Sequence, residues 1–438
     1  MRSFKILSWM SVIMFFWCQS GEALGKVYID IDSPAFHKFP IAIMDFQKFG
    51  NVQVREDLPV WFSETLGGHL NMTGFFNIIN KKAFLQDQRR ATSPGGRIDF
   101  ADWTVIGAEY LVRGVYHLTG QNLVVEYQLF DVVKGELLSE KKYTGRLDER
   151  KEITGKIAQE ILLVLTGDGS IFNTKIAFVL KKNQSSDIYS INFDGSGLTQ
   201  ITNFGSTTLS PRWSPDGQSI AFMSHRDGNP DLYVRRLRDY GTSKMSAFKG
   251  LNLPGAWSAD GRRMLMTLSR DGNEEIYLKE VGGGSPRRLT HEFSIEVSPV
   301  WSPDGRKIAF VSNRSGTPQI YLMDQNGNGV KRLTYEGNYN TSPAWSPKGG
   351  RIAYEGRREG RFQILSIEED GSHFMPLGPA GGQNESPTWS PDGRYVAFSQ
   401  KIAGKSRICV MNANGSNVRV LYENVQGCIS PSWSPRLK

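Results

Sequence analysis

Cysteine is scarce in this sequence, with three residues in 438. Cys18 lies in an apolar N-terminal stretch, which leaves Cys409 and Cys428 as the candidates for a disulfide. In an oxidising compartment such a bond is chemically permitted. The repeat pattern described below predicts Cys409 in the third strand of one unit and Cys428 just before the first strand of the next. The required approach of their Cα atoms is therefore not assured, and the sequence leaves the pairing open.

Concentrated charge is missing as well. The chain has 52 Lys and Arg against 44 Asp and Glu, a formal net charge of +8, yet its basic residues are scattered and form no run of five or more. No recognition-helix motif accompanies them. A nucleic-acid-binding surface requires clustered cations, so we expect no nucleic acid among the partners.

Signatures of catalysis and of metal binding are also lacking. A serine hydrolase of the α/β type needs a Gly-x-Ser-x-Gly nucleophile elbow, and the sequence contains none. Each Asp-Gly turn offers one carboxylate, which is fewer ligands than calcium requires. We therefore expect no catalytic residue, no cofactor and no metal site, although a cation in the channel predicted below stays open. The histidines stand singly and fit structural roles: His37, His69, His117, His225, His291 and His373.

One long apolar stretch, residues 6–17, follows two basic residues near the N terminus. It is too short for an uncapped transmembrane span. Small residues stand at the two positions that signal peptidase reads before a cut after Ala23. We predict a cleavable signal peptide over residues 1–23 and export of the mature chain. Lipidation at Cys18 is the alternative, which the bulky tryptophan beside it disfavours.

What the sequence does contain is a repeat. Tryptophans recur at an unvarying interval of 44 residues, and each opens a turn similar to Trp-Ser-Pro-Asp-Gly: Trp213, Trp257, Trp301, Trp345, Trp389 and Trp433. Self-similarity at about 40 to 50 residues, with strand and turn residues inside each unit, is typical of a β-propeller with one blade per repeat.

Three further positions keep the same register. Apolar triplets such as Ile-Ala-Phe at residues 308–310 follow each complete tryptophan turn, and apolar pairs such as Ile-Tyr at 320–321 mark a third strand. Leucines such as Leu333 mark a fourth strand. Glycines between these segments supply hairpins where positive φ is needed. Each unit is therefore predicted to be a four-stranded antiparallel blade.

The repeat also predicts how the ring closes. An extra second and third strand, near Ile176 and Ile188, precede the first tryptophan, whereas Trp433 has no strand pattern after it. We expect the strand ending at Trp433 to complete the first blade and so to give six blades. Pairing between the two ends of the repeat region would remove the exposed edge of an open array.

Residues 24–171 follow a different pattern, that of a small α/β domain. Its predicted elements are strands over 27–31 and 41–46, a helix over 58–70, hairpin strands over 110–116 and 123–130, and a helix over 148–165. The propeller takes residues 172–438. The predicted fold class is thus an all-β six-bladed β-propeller preceded by a small α/β domain.

The predicted mouth of the propeller carries the loops before each first strand and the hairpins between second and third strands. Loops on a rigid scaffold are where binding residues concentrate. Two alternatives stay open. The asparagines could serve the turns themselves, and the arginines could lie in solvated turns or in ion pairs between blades. The candidate partner-binding residues are Thr208, Asn252, Glu296, Tyr339, Asn340, Thr341, Asn384, Glu385, Arg226, Arg270, Arg314 and Arg358.

The Trp-Ser-Pro-Asp-Gly and Ile-Ala-Phe repeats, the small exported domain and the joint Leu-Thr-Gly-Asp-Gly-Ser-Ile-Phe at 165–172 together resemble the TolB family of the Tol-Pal system. The resemblance covers the whole mature chain, and the N-terminal domain and the joint carry its specificity. Departures are mild: Ala259 replaces proline in one turn, Lys348 replaces aspartate in another, and one second strand is rich in methionine.

The resemblance implies a non-enzymatic periplasmic scaffold, expected to be a monomer, that links envelope layers during cell division. Its propeller mouth would hold the peptidoglycan-associated lipoprotein Pal and thereby associate peripherally with the outer membrane. Its N-terminal segment would recruit TolA, and the alternating residues there suit strand addition or groove docking. An ordinary first strand of the domain is the alternative. The candidate residues of this segment are Leu24, Lys26, Val27, Ile29 and Ile31.

Two other functions fit such a repeat. The propeller could bind a peptide or a glycan, or it could be related to the gating propellers of prolyl oligopeptidases. The peptidase alternative requires an α/β-hydrolase domain that brings a serine to its histidine and oxyanion donors. No elbow motif is present, and the residues outside the propeller are fewer than such a domain usually takes. This alternative is therefore the least favoured.

Overall fold

The structure, a computed structural model, describes residues 37–49, 57–85 and 97–437. Within them, a small α/β domain precedes six four-stranded antiparallel sheets that form the blades of a β-propeller. The predicted signal peptide, the predicted strand over 27–31 and the candidate TolA-binding segment lie outside the described residues. None of the described helices is long and apolar enough to cross a membrane.

The N-terminal domain is a mixed sheet with helices on both faces. Its strand order is β3-β1-β4-β5-β6, and β2 pairs with β4. Strand β1 runs parallel to β3 and β4, whereas β4, β5 and β6 are antiparallel. The elements are β1 Phe39–Ile43, β2 Gln47–Phe49, α1 Leu58–Met72, β3 Phe76–Ile78, α2 Phe100–Val105, β4 Tyr110–Thr119, β5 Asn122–Asp131, β6 Glu136–Arg146 and α3 Arg150–Thr166, with 3-10 turns at Lys81–Ala83, Leu147–Glu149 and Ser170–Asn173.

Alternation along β1 sends its side chains to two cores. Ile41 and Ile43 pack in the cluster that holds the apolar faces of α1 and α3, whereas Ala42 and Met44 pack with Trp103 of α2. Both long helices and the β4–β5 hairpin were predicted, and the structure contains them. The eleven-residue edge strand β6 was not predicted, because its exposed, charged sequence hides the apolar alternation of a strand.

The propeller blades are numbered from the one that closes the ring. Blade 1 comprises β7 Lys175–Lys181, β8 Ser186–Asn192, β9 Thr199–Gln200 and β30 Cys428–Trp433, and blade 2 comprises β10 Thr208–Trp213, β11 Ser219–Ser224, β12 Asp231–Arg236 and β13 Thr242–Ser246. Blade 3 comprises β14 Asn252–Trp257, β15 Arg263–Leu268, β16 Glu275–Glu280 and β17 Arg287–Arg288, and blade 4 comprises β18 Glu296–Trp301, β19 Lys307–Ser312, β20 Gln319–Asp324 and β21 Lys331–Arg332. Blade 5 comprises β22 Asn340–Trp345, β23 Arg351–Arg358, β24 Arg361–Glu368 and β25 Met375–Leu377, and blade 6 comprises β26 Gln383–Trp389, β27 Tyr395–Ile402, β28 Lys405–Asn412 and β29 Arg419–Asn424.

Ring closure takes the predicted form. Strand β30 pairs with β7 in antiparallel register, with Trp433 opposite Ile176 and Ser432 opposite Ala177. The last strand of the chain thus becomes the innermost strand of blade 1, next to strands that begin about 250 residues earlier in the chain. The prediction of a six-bladed propeller closed at Trp433 is confirmed.

Apolar layers between neighbouring blades hold the ring together. Between blades 3 and 4, for example, Leu265 and Ile276 pack with Trp301, Ile308 and Phe310. Burying a side chain of this size contributes roughly 1.5–3 kcal/mol. Because each layer draws on two blades, every blade depends on its neighbours for a complete core.

Strand direction divides the propeller loops between two faces. First and third strands run the same way, so the loops before first strands and the hairpins between second and third strands share one face, here called the mouth face. The Trp-Ser-Pro turns and the hairpins between third and fourth strands share the opposite face, here called the joint face. The N-terminal domain packs on the joint face: Tyr395 Oη donates to the Thr73 carbonyl at 2.7 Å, and Arg436 pairs with Asp168 at 2.6 Å.

Candidate partner-binding face

A central channel runs between the innermost strands. In five of the six first strands the serine of the Ser-Pro pair has φ between 52° and 57° and lies at a break in the pairing register. In blade 3 Pro254 and Gly255 take these positions, and a side chain at Gly255 would come within 2.7 Å of Pro299. The channel cavity has a volume of about 470 Å³ and is lined by the serines, prolines and tryptophans of the repeat.

The five polar residues predicted at the starts of the first strands are buried. Asn252 donates through Nδ2 to three backbone carbonyls and accepts through Oδ1 from Ser246 Oγ at 2.7 Å. Asn340 donates to Gln319 Oε1 and to the Glu336 carbonyl, both at 2.8 Å. These side chains order the mouth loops from beneath instead of projecting from them, so contact with a partner through them stays a prediction. The buried set is Thr208, Asn252, Glu296, Asn340 and Asn384.

Glu296 is the one carboxylate in this buried set. Its Oε1 accepts from Ser294 Oγ at 2.6 Å and from Ser312 Oγ at 2.7 Å, and its Oε2 lies 3.2 Å from Arg314 Nη2. Burial nevertheless raises the pKa of Glu296, because desolvation outweighs these interactions. The residue ties the loop before blade 4 to the second hairpin of that blade.

The predicted arginines lie on the mouth face, and most of them are engaged locally. Arg226 and Arg270 stack 4.3 and 4.2 Å from the ring centres of Phe204 and Phe248. Each also pairs with the aspartate that follows it, at 3.7 and 3.3 Å. Arg314 pairs with Glu296, whereas Arg358 stacks 4.8 Å from Phe374. The ion pairs of the first three arginines thus lie within single blades, whereas the ion-pair alternative placed them between blades.

Tyr339, Thr341 and Glu385 are more accessible. Tyr339 is 38% exposed and makes an edge contact with Phe362, while Thr341 and Glu385 are half-buried. Burial raises the pKa of Glu385, an effect that the nearby charges of Lys181 and Lys401 oppose. Tyr339, Thr341 and Glu385 lie at the mouth-face ends of first strands, and the two lysines lie at the mouth-face ends of second strands.

A second carboxylate beside Glu385 was not predicted. Glu355 of β23 is 7% exposed, and it accepts from the Ser386 amide at 3.2 Å and from Ser342 Oγ at 3.3 Å. Burial first, and the adjacent Glu385 second, raise the pKa of Glu355 to about 7. Among the described residues no group of three or more His, Cys, Asp or Glu side chains is placed to hold a metal ion.

The sequence interpretation also missed three large apolar side chains exposed on two adjacent mouth loops, here called the exposed apolar cluster. Phe293 is fully exposed, Tyr335 is 69% exposed, and Ile295 is 45% exposed. A signal for it exists in the repeat. Glu292 stands where two other units have the phenylalanine that stacks under an arginine, and it pairs with Arg314 at 3.4 Å. The neighbouring Phe293 is therefore left without that packing position.

Two other predictions concern smaller features. The Asp-Gly turns are hairpin turns: in one of them Asp304 accepts from Ser302 Oγ and from the Arg306 amide, so its carboxylate is used within the turn. Cys409 and Cys428 are free thiols in buried positions. Burial raises the pKa of Cys409 to about 12 and that of Cys428 to about 11.

Together the fold and the mouth define a class of protein: a six-bladed propeller that carries an α/β domain on one face and has, among the described residues, only its own loops on the other. The model of the TolB beta propeller domain matches residues 163–437, and the model of the TolB amino-terminal domain matches residues 27–138. The chain belongs to the TolB family.

Individual relatives agree with this assignment. The "Tol-Pal system protein TolB" of Syntrophus aciditrophicus is 50% identical over 198 residues, and that of Desulfosudis oleivorans is 39% identical over 191 residues. Each match covers 44% of this chain and 44% of the relative, so the matched stretch spans less than half the length of either relative. The crystal structure of TolB from Acinetobacter baumannii is 26% identical, with a TM-score of 0.78 over 91% of this chain and 97% of that one.

Proposed function

We propose that this chain is a periplasmic, non-enzymatic scaffold of the Tol-Pal system. It binds Pal through the mouth face and TolA through the segment at residues 24–33, and it links layers of the cell envelope during division. Membership of the TolB family and relatives that carry the name "Tol-Pal system protein TolB" support this proposal.

One observation supports the assignment of Pal to the mouth face: the N-terminal domain and the mouth loops lie on opposite faces of the propeller. The described part of the N-terminal domain packs on the joint face through Tyr395 and Arg436, and it leaves the mouth face to the propeller loops. Its loops are held in place by buried asparagines such as Asn252 and Asn340. A rigid loop face loses little conformational entropy when a partner binds, which favours protein recognition.

Calorimetric titration tests the two assignments separately. Purified Pal and the periplasmic part of TolA are titrated into the chain from residue 24 onward and into a second chain that begins at residue 34. We expect the shorter chain to lose TolA binding and to keep Pal binding. Unchanged TolA binding with preserved folding would contradict the segment assignment, and no heat with Pal for either chain would contradict the mouth assignment.

A further inference from the structure

On one side of the mouth face, basic side chains are concentrated that form no salt bridge with any of the described residues. Arg357 and Arg361 of blade 5, Lys401 of blade 6 and Lys181 of blade 1 are exposed on three successive second hairpins. No carboxylate of the described residues lies within salt-bridge distance of any of the four. On the other blades, by contrast, the hairpin arginines pair with neighbouring carboxylates.

These four basic residues are here called the basic arc. The exposed apolar cluster lies beside it, on the loops that lead into blades 4 and 5. Large exposed apolar side chains grouped on one loop face mark an interaction surface. The backbone beneath Phe293 is fixed on both sides: Asn273 Nδ2 donates to the carbonyls of Glu292 and Ser294 at 2.8 and 2.7 Å, and the Ile295 amide donates to Asn313 Oδ1 at 2.8 Å.

The second loop of the cluster is equally well held. Gln319 Nε2 donates to the Gly337 carbonyl at 3.3 Å, and the Arg357 amide donates to the Tyr339 carbonyl at 2.8 Å. The Tyr335 ring lies 4.8 Å from the Arg332 guanidinium. An exposed aromatic side chain on a loop ordered in advance gains contact area on binding at little entropic cost.

We propose that the mouth face is polarised and that Pal docks on it off-centre. An apolar part of the Pal surface covers Phe293 and Tyr335, and an acidic part faces Arg357, Arg361, Lys401 and Lys181. This inference rests on the proposed function, since it assigns the contacts within the same face. The strongest contacts are then made by the loops of Phe293 and Tyr335 and by the basic arc, and they are not spread evenly over the six blades.

Affinity measurements on point variants test the proposed apolar contact with Pal. Phe293→Ala is compared with Val133→Ala, which truncates a side chain 73% exposed on the N-terminal domain. Phe293→Ala is expected to weaken Pal binding at least about tenfold because it removes an anchor, and Val133→Ala is expected to leave it unchanged. Melting temperatures of both variants should match that of the wild type, because neither side chain is buried.

Charge reversal tests the proposed contact between the basic arc and an acidic part of the Pal surface. Arg361→Glu and Lys401→Glu are compared with Arg306→Glu, which makes the same reversal at an 82% exposed side chain on the joint face. The two mouth variants are expected to weaken Pal binding several-fold and to reduce its dependence on salt, because interactions between exposed charges are screened by ions. The control should behave like the wild type.

The outcomes separate this inference from the proposed function. Wild-type binding of Pal that is insensitive to Phe293→Ala overturns the anchor and leaves the proposed function standing. Charge reversals that act no more strongly than Arg306→Glu overturn the acidic contact. Failure of the wild type to bind Pal overturns both proposals together.

Discussion

At the scale of single residues, buried polar side chains determine the shape of the mouth. The sequence places an asparagine, a threonine or a glutamate five residues before most of the repeat tryptophans, and their position in the repeat was correctly read from the 44-residue register. Whether these side chains are buried could not be predicted, because a polar side chain at the start of a strand can form its hydrogen bonds either with water or with loop carbonyls. The structure shows that loop groups surround Asn252 and Asn340.

This burial changes what a substitution at Asn340 should do. Asn340→Ala leaves Gln319 Oε1 and the Glu336 carbonyl without that donor, so we expect the free energy of unfolding to fall by about 1–3 kcal/mol. Asn338→Ala, at an exposed position of the same loop, is the matched control. Urea denaturation of both variants measures the effect, and equal midpoints would contradict a structural role for Asn340.

Glu355 makes the free energy of unfolding depend on pH. Its pKa is raised to about 7 in the folded state, above the value of about 4.3 for an unperturbed glutamate. Between these two values the folded state binds more protons than the unfolded state, so this group makes stability fall as pH rises through that window. Above pH 7 Glu355 is ionised in the folded state as well, and the full cost of burying its charge then lowers the free energy of unfolding.

Glu355→Gln should remove that cost. We expect the variant to be more stable than the wild type by about 1–3 kcal/mol at pH 8, with the difference shrinking toward pH 4. Denaturant midpoints across this range provide the measurement, and the exposed Glu359→Gln on the next hairpin serves as control. A difference that does not change with pH would show that Glu355 is not the responsible group.

Phe293 illustrates the limit of sequence reasoning for single side chains. The repeat predicts that its loop reaches the mouth face, and the structure places it there. Which side chain of the loop packs and which projects depends on a substitution one position earlier, where Glu292 binds Arg314 instead of stacking beneath it. Periodicity identifies such a position, but contacts between loops decide its exposure.

At the scale of elements, the repeat predicted more than the isolated segments did. Six tryptophans in an unbroken register determine the blade order, the hairpins and the closing strand, because every unit repeats the same sequence of strands and turns. The N-terminal domain has no internal repeat to confirm a weak segment. Strand β6 was therefore missed, although it is among the longest strands of its sheet.

Strand β30 supplies the prediction at this scale. Deleting residues 427–438 removes the innermost strand of blade 1, including the buried Trp433 and the ladder to β7. We expect the free energy of unfolding to fall by at least about 3 kcal/mol, from lost burial and lost backbone hydrogen bonds. The exposed Val425→Ala, just before the strand, should leave it unchanged. A truncated chain that unfolds as cooperatively and at the same midpoint as the full chain would rule out this closure.

At the scale of the whole molecule, the two domains share a core. One apolar cluster joins Leu70 and Ile157 of the N-terminal helices to Phe193, Tyr395 and Trp433 of the propeller. His69 lies 3.5 Å from Asp194 across the same joint. The domain boundary predicted at residue 171 thus marks a change in sequence pattern, but one hydrophobic core extends across it.

A continuous core predicts that the domains unfold together. Scanning calorimetry of the chain from residue 24 onward should show one transition, because loss of either domain exposes apolar surface of the other. Tyr395→Phe, which removes the hydroxyl that donates to the Thr73 carbonyl, should shift that transition to lower temperature without dividing it. Two well-separated transitions in the wild type would contradict this coupling.

Amide hydrogen exchange with and without Pal tests directly whether the partner binds the mouth face of the propeller. If Pal binds the mouth face, it slows exchange in the loops at residues 290–295 and 334–339 and leaves the joint-face turns at 214–218 and 302–306 unchanged. Slower exchange at the joint-face turns, with no change in the mouth loops of a Pal-bound sample, would contradict it.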